Sequence, residues 1–193
     1  MKILAFSDVH GDINYLRDIY KKSKKENPDI IICAGDIFEF YNFSNKIKKL
    51  LQSFDKTILM IHGNHEDSKL INKLCNKSII NLHNKTFTFQ DFTFFGYGGG
   101  GFEQKNKEFE NNINKVKDKL NNWILITHGP PYNTKLDLVF NHHVGSISIR
   151  KIIENFKPKL NVCGHLHENF YIKDKIKTTE IINPGPLGSI INI

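Results

Sequence analysis

Three features of this 193-residue sequence predict an α/β fold. Apolar runs of strand length recur along the chain, segments with helical spacing of apolar residues separate them, and several runs give way at their C-terminal ends to glycine and ionisable residues. No repeat, linker or change of composition divides residues 1–193, so one domain is expected over that length.

KILAF (2–6) reads as the first strand, and Asp12 is placed to cap a helix with Ile13, Leu16, Ile19 and Tyr20 on one face. DIIIC (29–33) is the second strand, and Phe43, Ile47, Leu50, Leu51 and Phe54 mark the second helix. TILMI (57–61) precedes a short helix expected to begin near Glu66, where a carboxylate suits the positive end of the helix dipole. TFTF and FTFFGY are weaker strands, and residues 105–122 space Phe109, Ile113, Val116 and Leu120 as a surface helix. WILIT (123–127), a loop, a helix from about Ser146 to Phe156, and KLNVC (159–163) continue the alternation. The tail reads as a hairpin, NFYIKDKIKTTEII, and a closing strand, GSIINI.

Hydrophobic residues make up 39% of the chain, ample for a packed interior. No apolar run approaches the roughly 20 residues that span a bilayer, and MKILAFSDVHGD turns polar too soon for a secretory leader. A cytoplasmic protein without a membrane partner is therefore expected. Cys33, Cys75 and Cys163 lack paired spacing, which argues against a disulfide framework and a cysteine-rich zinc site. The net charge of +7 suits anionic substrates. Its lysines are scattered over helix-like stretches such as YKKSKKEN, the pattern of a solvated face rather than a nucleic-acid patch.

The residues at the strand ends carry the function. KILAF leads into SDVH, DIIIC into AGD, TILMI into HGNHE, WILIT into HGPP and KLNVC into GHLH. Sites in open α/β sheets form outside the carboxyl ends of the strands, and parallel neighbours would bring all five endings to one edge. That edge would gather Asp8, His10, Asp36, Asn64, His65, His128, His165 and His167. So many imidazoles with two carboxylates make poor core packing, because each polar atom needs a partner once it leaves water. Divalent transition ions are the natural partners of this mixed nitrogen and oxygen donor set.

DVH, GD, GNHE, HG and GHLH, in this order, resemble the signature of the calcineurin-like metallophosphoesterase superfamily over nearly the whole chain, and INPGPLG is similar to the Asn-Pro-Gly loop of its small phosphodiesterase branches. The resemblance implies a four-layer αββα sandwich, two mixed β-sheets flanked by helices, which periodicity alone does not give. It implies two divalent ions, manganese preferred, with Fe, Zn, Ni or Co as alternatives. One ion would be held by Asp8, His10, Asp36 and His167, and the other by Asp36, Asn64, His128 and His165, with Asp36 bridging. Gly164 is expected to supply backbone freedom for the turn into His165. A phosphate ester, with nucleotides and nucleic acid among the candidates, would be hydrolysed by in-line attack of a bridging hydroxide, with His65 as general acid.

Glu39 stands where some branches place an acid that orients this histidine, and an exposed helix-start role is the competing reading. GYGGGG (96–101) lacks the Lys-Ser/Thr of a phosphate loop and reads as a loop beside the cleft. His142 and His143 read as a surface pair with rim contact to phosphate as the alternative, His62 and His83 as structural or exposed, and Arg150 as exposed or salt-bridged. The Asp-Arg-Gly of serine/threonine protein phosphatases is missing after GD, which disfavours a protein phosphatase, and a phosphodiesterase is the leading expectation. A small nuclease, a phosphomonoesterase and a silent metal-binding scaffold remain as alternatives, and the oligomeric state is left open.

Overall fold

The computed structural model describes residues 1–100 and 103–193. Among these residues, β1 (Lys2–Phe6), β2 (Ile30–Cys33), β3 (Ile58–Met60), β4 (Ile79–Asn81) and β13 (Ser189–Asn192) form one sheet in the order β13-β1-β2-β3-β4. The pairs from β1 to β4 are parallel and β13 joins antiparallel to β1, Lys2 lying opposite Asn192. The second sheet runs β11 (Lys173–Ile176), β12 (Thr179–Ile182), β10 (Leu160–Val162), β7 (Trp123–Thr127), β6 (Phe92–Tyr97) and β5 (Lys85–Phe89). It too is mixed: β12, β10, β7 and β6 are parallel neighbours, and the two outer strands are antiparallel.

Burial shows why strands that read as uniformly apolar serve two layers. Leu4 and Phe6 of β1 pack against α1 (Ile13–Glu26), α2 (Asn45–Gln52) and α3 (Ser68–Asn72), whereas Ile3 and Ala5 face the second sheet. On β7, Ile124 and Ile126 complete the layer between the sheets, while Trp123 and Leu125 pack outward with α4 (Lys107–Val116) and α5 (Ile147–Phe156). Both faces of each inner strand are buried, the setting in which alternation disappears from sequence. The result is the four-layer αββα sandwich.

Several boundaries differ from the sequence expectation. Phe43 and Phe54 lie outside α2, although both pack on its core. Helix α3 starts at Ser68, because Asp67 supplies the cap by accepting from the Leu70 N–H at 2.7 Å. Helix α4 ends at Val116 and a short 3-10 turn spans Lys117–Lys119. Strand β4 has no distinct sequence signal, and the loop after β7 contains a small antiparallel pair, β8 (Leu138–Val139) and β9 (His142–His143). No helix among the described residues is long and apolar enough to cross a membrane.

Candidate metal centre

Strands β1, β2 and β3 end on one side of the gap between the sheets and β7 and β10 on the other, so the five motifs divide three and two between sheets rather than lining one edge. Backbone hydrogen bonds lace them together. Asp8 N–H donates to Gly35 O at 3.0 Å, His10 N–H to Asp36 O at 2.9 Å, and Gly164 N–H to His128 O at 2.8 Å. The first and fifth motifs are joined by the His165 N–H, 3.1 Å from Asp8 Oδ1. The Asn-Pro-Gly loop closes the ring: Gly185 O accepts from Ser7 N–H at 3.2 Å, and buried Asn183 donates its side-chain amide to Leu166 O at 3.2 Å.

Two donor groups result. In the first, His10 Nε2 lies 3.0 Å from His167 Nε2 and 4.0 Å from Asp8 Oδ1. In the second, Asn64 Oδ1 lies 2.9 Å from both His128 Nε2 and His165 Nδ1. Asp36 stands between them, its Oδ2 3.3 Å from His128 Nε2 and 3.7 Å from His10 Nε2. Donors held about 2.1 Å from a common centre lie roughly 3.0 Å apart at right angles and 3.4 Å apart in a tetrahedron. The shorter separations match these edges, and two imidazole nitrogens aimed at each other are better served by a shared cation than by each other. The residues present therefore fit divalent metal. His65 offers a further atom within 4.8 Å of donor atoms of His10 and Asp36, at the border of both groups.

Burial opposes charge on both His128 and Asp36, yet their pairing prevails: His128 is pushed up to about 9 and Asp36 held well below the ordinary carboxylate range. A cation binding there takes the place of the His128 proton. Burial, reinforced by neighbouring His128, lowers His165 to about 4, and burial also lowers His10. Both shifts favour the neutral ring, the form of imidazole that ligates a metal ion.

Four of these residues occupy left-handed backbone: Asp8 (φ +57°), His10 (φ +48°), Asp36 (φ +52°) and His165 (φ +73°). Gly164 does not, which corrects its expected role. Its hydrogen occupies space that a Cβ would contest with Ser7 Oγ, 2.7 Å away, and with the Asp8 carboxylate.

Glu66 is the largest correction. It starts no helix; it is buried, with Oε1 accepting the N–H groups of Asp36 (2.8 Å) and Gly63 (2.9 Å) and Oε2 that of Phe38 (3.0 Å). Burial raises its carboxyl to about 7. One side chain thus ties the GD loop to the GNHE loop. The signal lies in Asp67, a sufficient cap by itself, which leaves the buried-carboxylate role to its neighbour.

Glu39 begins no helix either. It is half-exposed, with Oε2 3.0 Å from His10 Nδ1 and Oε1 3.6 Å from His65 Nδ1, so it faces both rings and stands nearer His10. His143 is not a free surface residue, because its Nδ1 lies 2.7 Å from Oδ1 of buried Asp137, which also accepts backbone N–H groups of residues 133, 134 and 145. His142 stays exposed. His62 and His83 pack ring against ring at 4.7 Å, and Arg150 is held by Glu154 and by the carbonyls of Tyr132 and Asn133. Gly99 and Gly100 line a cavity with His128, Gly129 and Pro130; Gly101, the last residue of the glycine run, lies outside the described residues.

The calcineurin-like phosphoesterase family model matches residues 1–169, which include all five motifs. The uncharacterized protein MJ1162 of Methanocaldococcus jannaschii is 34% identical, the match covering 96% of this chain and 88% of that one. Among solved structures, TT1561 of Thermus thermophilus aligns with a TM-score of 0.79 at 16% identity, over 96% of this chain and 89% of that one. A structure described as a novel archaeal phosphodiesterase aligns at 0.59 and 21% identity, over 96% and 84%. At these identities the solved structures speak for the fold, while the family match and the relative at one-third identity speak for descent, and on that ground the chain belongs to the calcineurin-like phosphoesterases.

Proposed function

We propose that this phosphoesterase is a phosphodiesterase working with two divalent ions, manganese preferred on the mixed donor set. Asp36 carries the reading, because its carboxylate lies within 4 Å of ring nitrogens from both donor groups. Asp8, His10 and His167 would hold one ion, Asn64, His128 and His165 the other, and Asp36 would bridge. When bound, the pair supplies positive charge for the phosphoryl oxygens and an activated water near neutral pH.

The chain's own residues supply the rest. The cleft is lined by His10, Asp36, Asn64, His65, His165, Leu166, His167 and Glu168. His65 borders the donor groups without being needed by either, in reach to give a proton to the departing oxygen. Among the described residues the lining holds no lysine or arginine, and Glu168 at the rim disfavours a second negative charge, which supports a singly charged diester over a dianionic monoester.

The test is turnover by one manganese-reconstituted preparation of bis(p-nitrophenyl) phosphate, p-nitrophenyl phosphate, cyclic nucleotides and single-stranded DNA, with metal content measured alongside. A diester preference with two ions per chain is expected. DNA cleaved faster than small diesters would make it a nuclease, and two bound ions without turnover would make it a scaffold.

A further inference from the structure

Against His65, one of the residues that line the cleft, stands an exposed aromatic pair that the hydrolytic machinery does not use. Phe40 lays its ring on His65, centroids 4.1 Å apart and planes 33° from parallel, yet 73% of the residue remains exposed. Its neighbour Tyr41 is 57% exposed. A single exposed apolar residue is ordinary. Two adjacent exposed aromatics beside a cleft residue, both in left-handed backbone (φ +39° and +60°), are not, because that conformation is unfavourable for residues with a Cβ. The turn is held against the cleft: Tyr41 N–H donates to His65 O at 2.8 Å, and Asn42 N–H to Glu39 O at 2.8 Å. The strained conformation keeps Phe40 out of the core, which Phe38, two residues earlier, enters completely.

We infer that Phe40 is a stacking platform that selects phosphate esters carrying a planar aromatic group beside the departing oxygen. This rests on the reading of His65 as the group facing that oxygen. One face of the Phe40 ring covers His65 and the rest of the residue is open, so a group attached to that oxygen can lie against the outer face. A flat π system there buries the outer face and gains offset-stacking contact, which an alkyl chain gains only in part. A phenyl ring and a nucleobase share this chemistry, and the test separates them.

Binding to the manganese-loaded protein is measured calorimetrically for two matched pairs of singly charged anions: the methyl monoester of phenylphosphonate against that of methylphosphonate, and the methyl ester of adenosine 5′-monophosphate against that of ribose 5-phosphate. Wild type, Phe40→Ala and Phe40→Trp are compared. Stacking is expected to favour the aromatic member of at least one pair by about 5- to 150-fold, the equivalent of roughly 1–3 kcal/mol at about 1.4 kcal/mol per tenfold. The preference should fall below twofold in Phe40→Ala and persist in Phe40→Trp, and the pair with the larger ratio identifies phenyl or nucleobase. A wild type that binds all four anions without aromatic preference, or a preference that survives Phe40→Ala, overturns this inference alone. Failure to bind any of the four overturns the two-ion phosphodiesterase reading with it.

Discussion

Replacing Gly63 with alanine probes the close approach of two loops on which the proposed bridging role of Asp36 depends. The added Cβ would stand 2.6 Å from the Asp36 carboxyl carbon and 2.7 Å from its backbone nitrogen, whereas ordinary van der Waals contact begins at 3.4 Å. Restoring that distance moves the carboxyl carbon by about 0.8 Å, and what must yield is backbone and a buried carboxylate rather than the tip of a flexible side chain. Such a shift disturbs the hydrogen bond from His65 N–H to Asp36 Oδ1, now 2.9 Å, and draws Oδ2 away from His128. Overpacking of this kind costs ~1–3 kcal/mol, and disturbing the support of a metal ligand lowers affinity by roughly 10- to 100-fold. Urea unfolding of metal-free protein and calorimetric titration with Mn²⁺ read the two effects separately. Wild-type Mn²⁺ affinity, with unfolding free energy within ~0.5 kcal/mol of wild type, would refute the steric argument.

Glu66→Ala strands three buried N–H groups, each worth about 1–3 kcal/mol, so urea unfolding should show a loss of at least ~3 kcal/mol; a loss below ~1 kcal/mol would mean that the loops find other acceptors. His65→Ala should slow an ester with an alkyl leaving group by about 10²- to 10⁴-fold, and a p-nitrophenyl ester less, at unchanged metal content. Equal slowing of both would remove His65 as the acid. Chelation should abolish turnover, Mn²⁺ should restore it, and the metal-loaded protein should melt higher than the stripped one, by about 2.7 kcal/mol when free ion is 100 times the dissociation constant. Equal melting temperatures would show that the cluster does not bind the ion tightly. His10→Ala and His10→Gly both delete the ring at φ +48°. Left-handed strain of ~1–2 kcal/mol exceeds the ~0.4–1 kcal/mol that alanine ordinarily gains over glycine. The glycine variant should therefore be the more stable in urea unfolding, and the reverse order would refute strain at this position.

The strands and their functional endings are legible because each apolar run stops where a donor begins, as Phe6 before Ser7 and Asp8, or Val162 before Cys163, Gly164 and His165. Their division between two sheets is not. Ile3, Leu4, Ala5 and Phe6 are all buried, and only their alternate membership of two core layers reveals that one strand faces helices on one side and a second sheet on the other. Single residues mislead where the deciding fact is three-dimensional. Gly164 reads as a turn and proves to be a gap beside Asp8, and Glu66 reads as a helix start and proves to be an acceptor for three N–H groups from two loops. Phe40 lies among Phe38, Tyr41 and Phe43, and nothing in FEFYNF shows which aromatic leaves the core.

The left-handed residues explain why such a cleft needs so thick a support. Four donor residues at positive φ together cost several times the ~1–2 kcal/mol of one, and His10 and His167 bring two ring nitrogens within 3.0 Å of each other. Loops alone would relax. Here each motif emerges from a strand buried on both faces, and bonds such as Asp8 N–H to Gly35 O and Gly164 N–H to His128 O fix one motif by the next. The layer between the sheets, in which Phe94 is fully buried, therefore serves the site as well as stability: it holds three motifs from one sheet opposite two from the other. A cation bound as proposed would meet donors that the fold itself positions, so its binding energy would go into affinity rather than into ordering the chain.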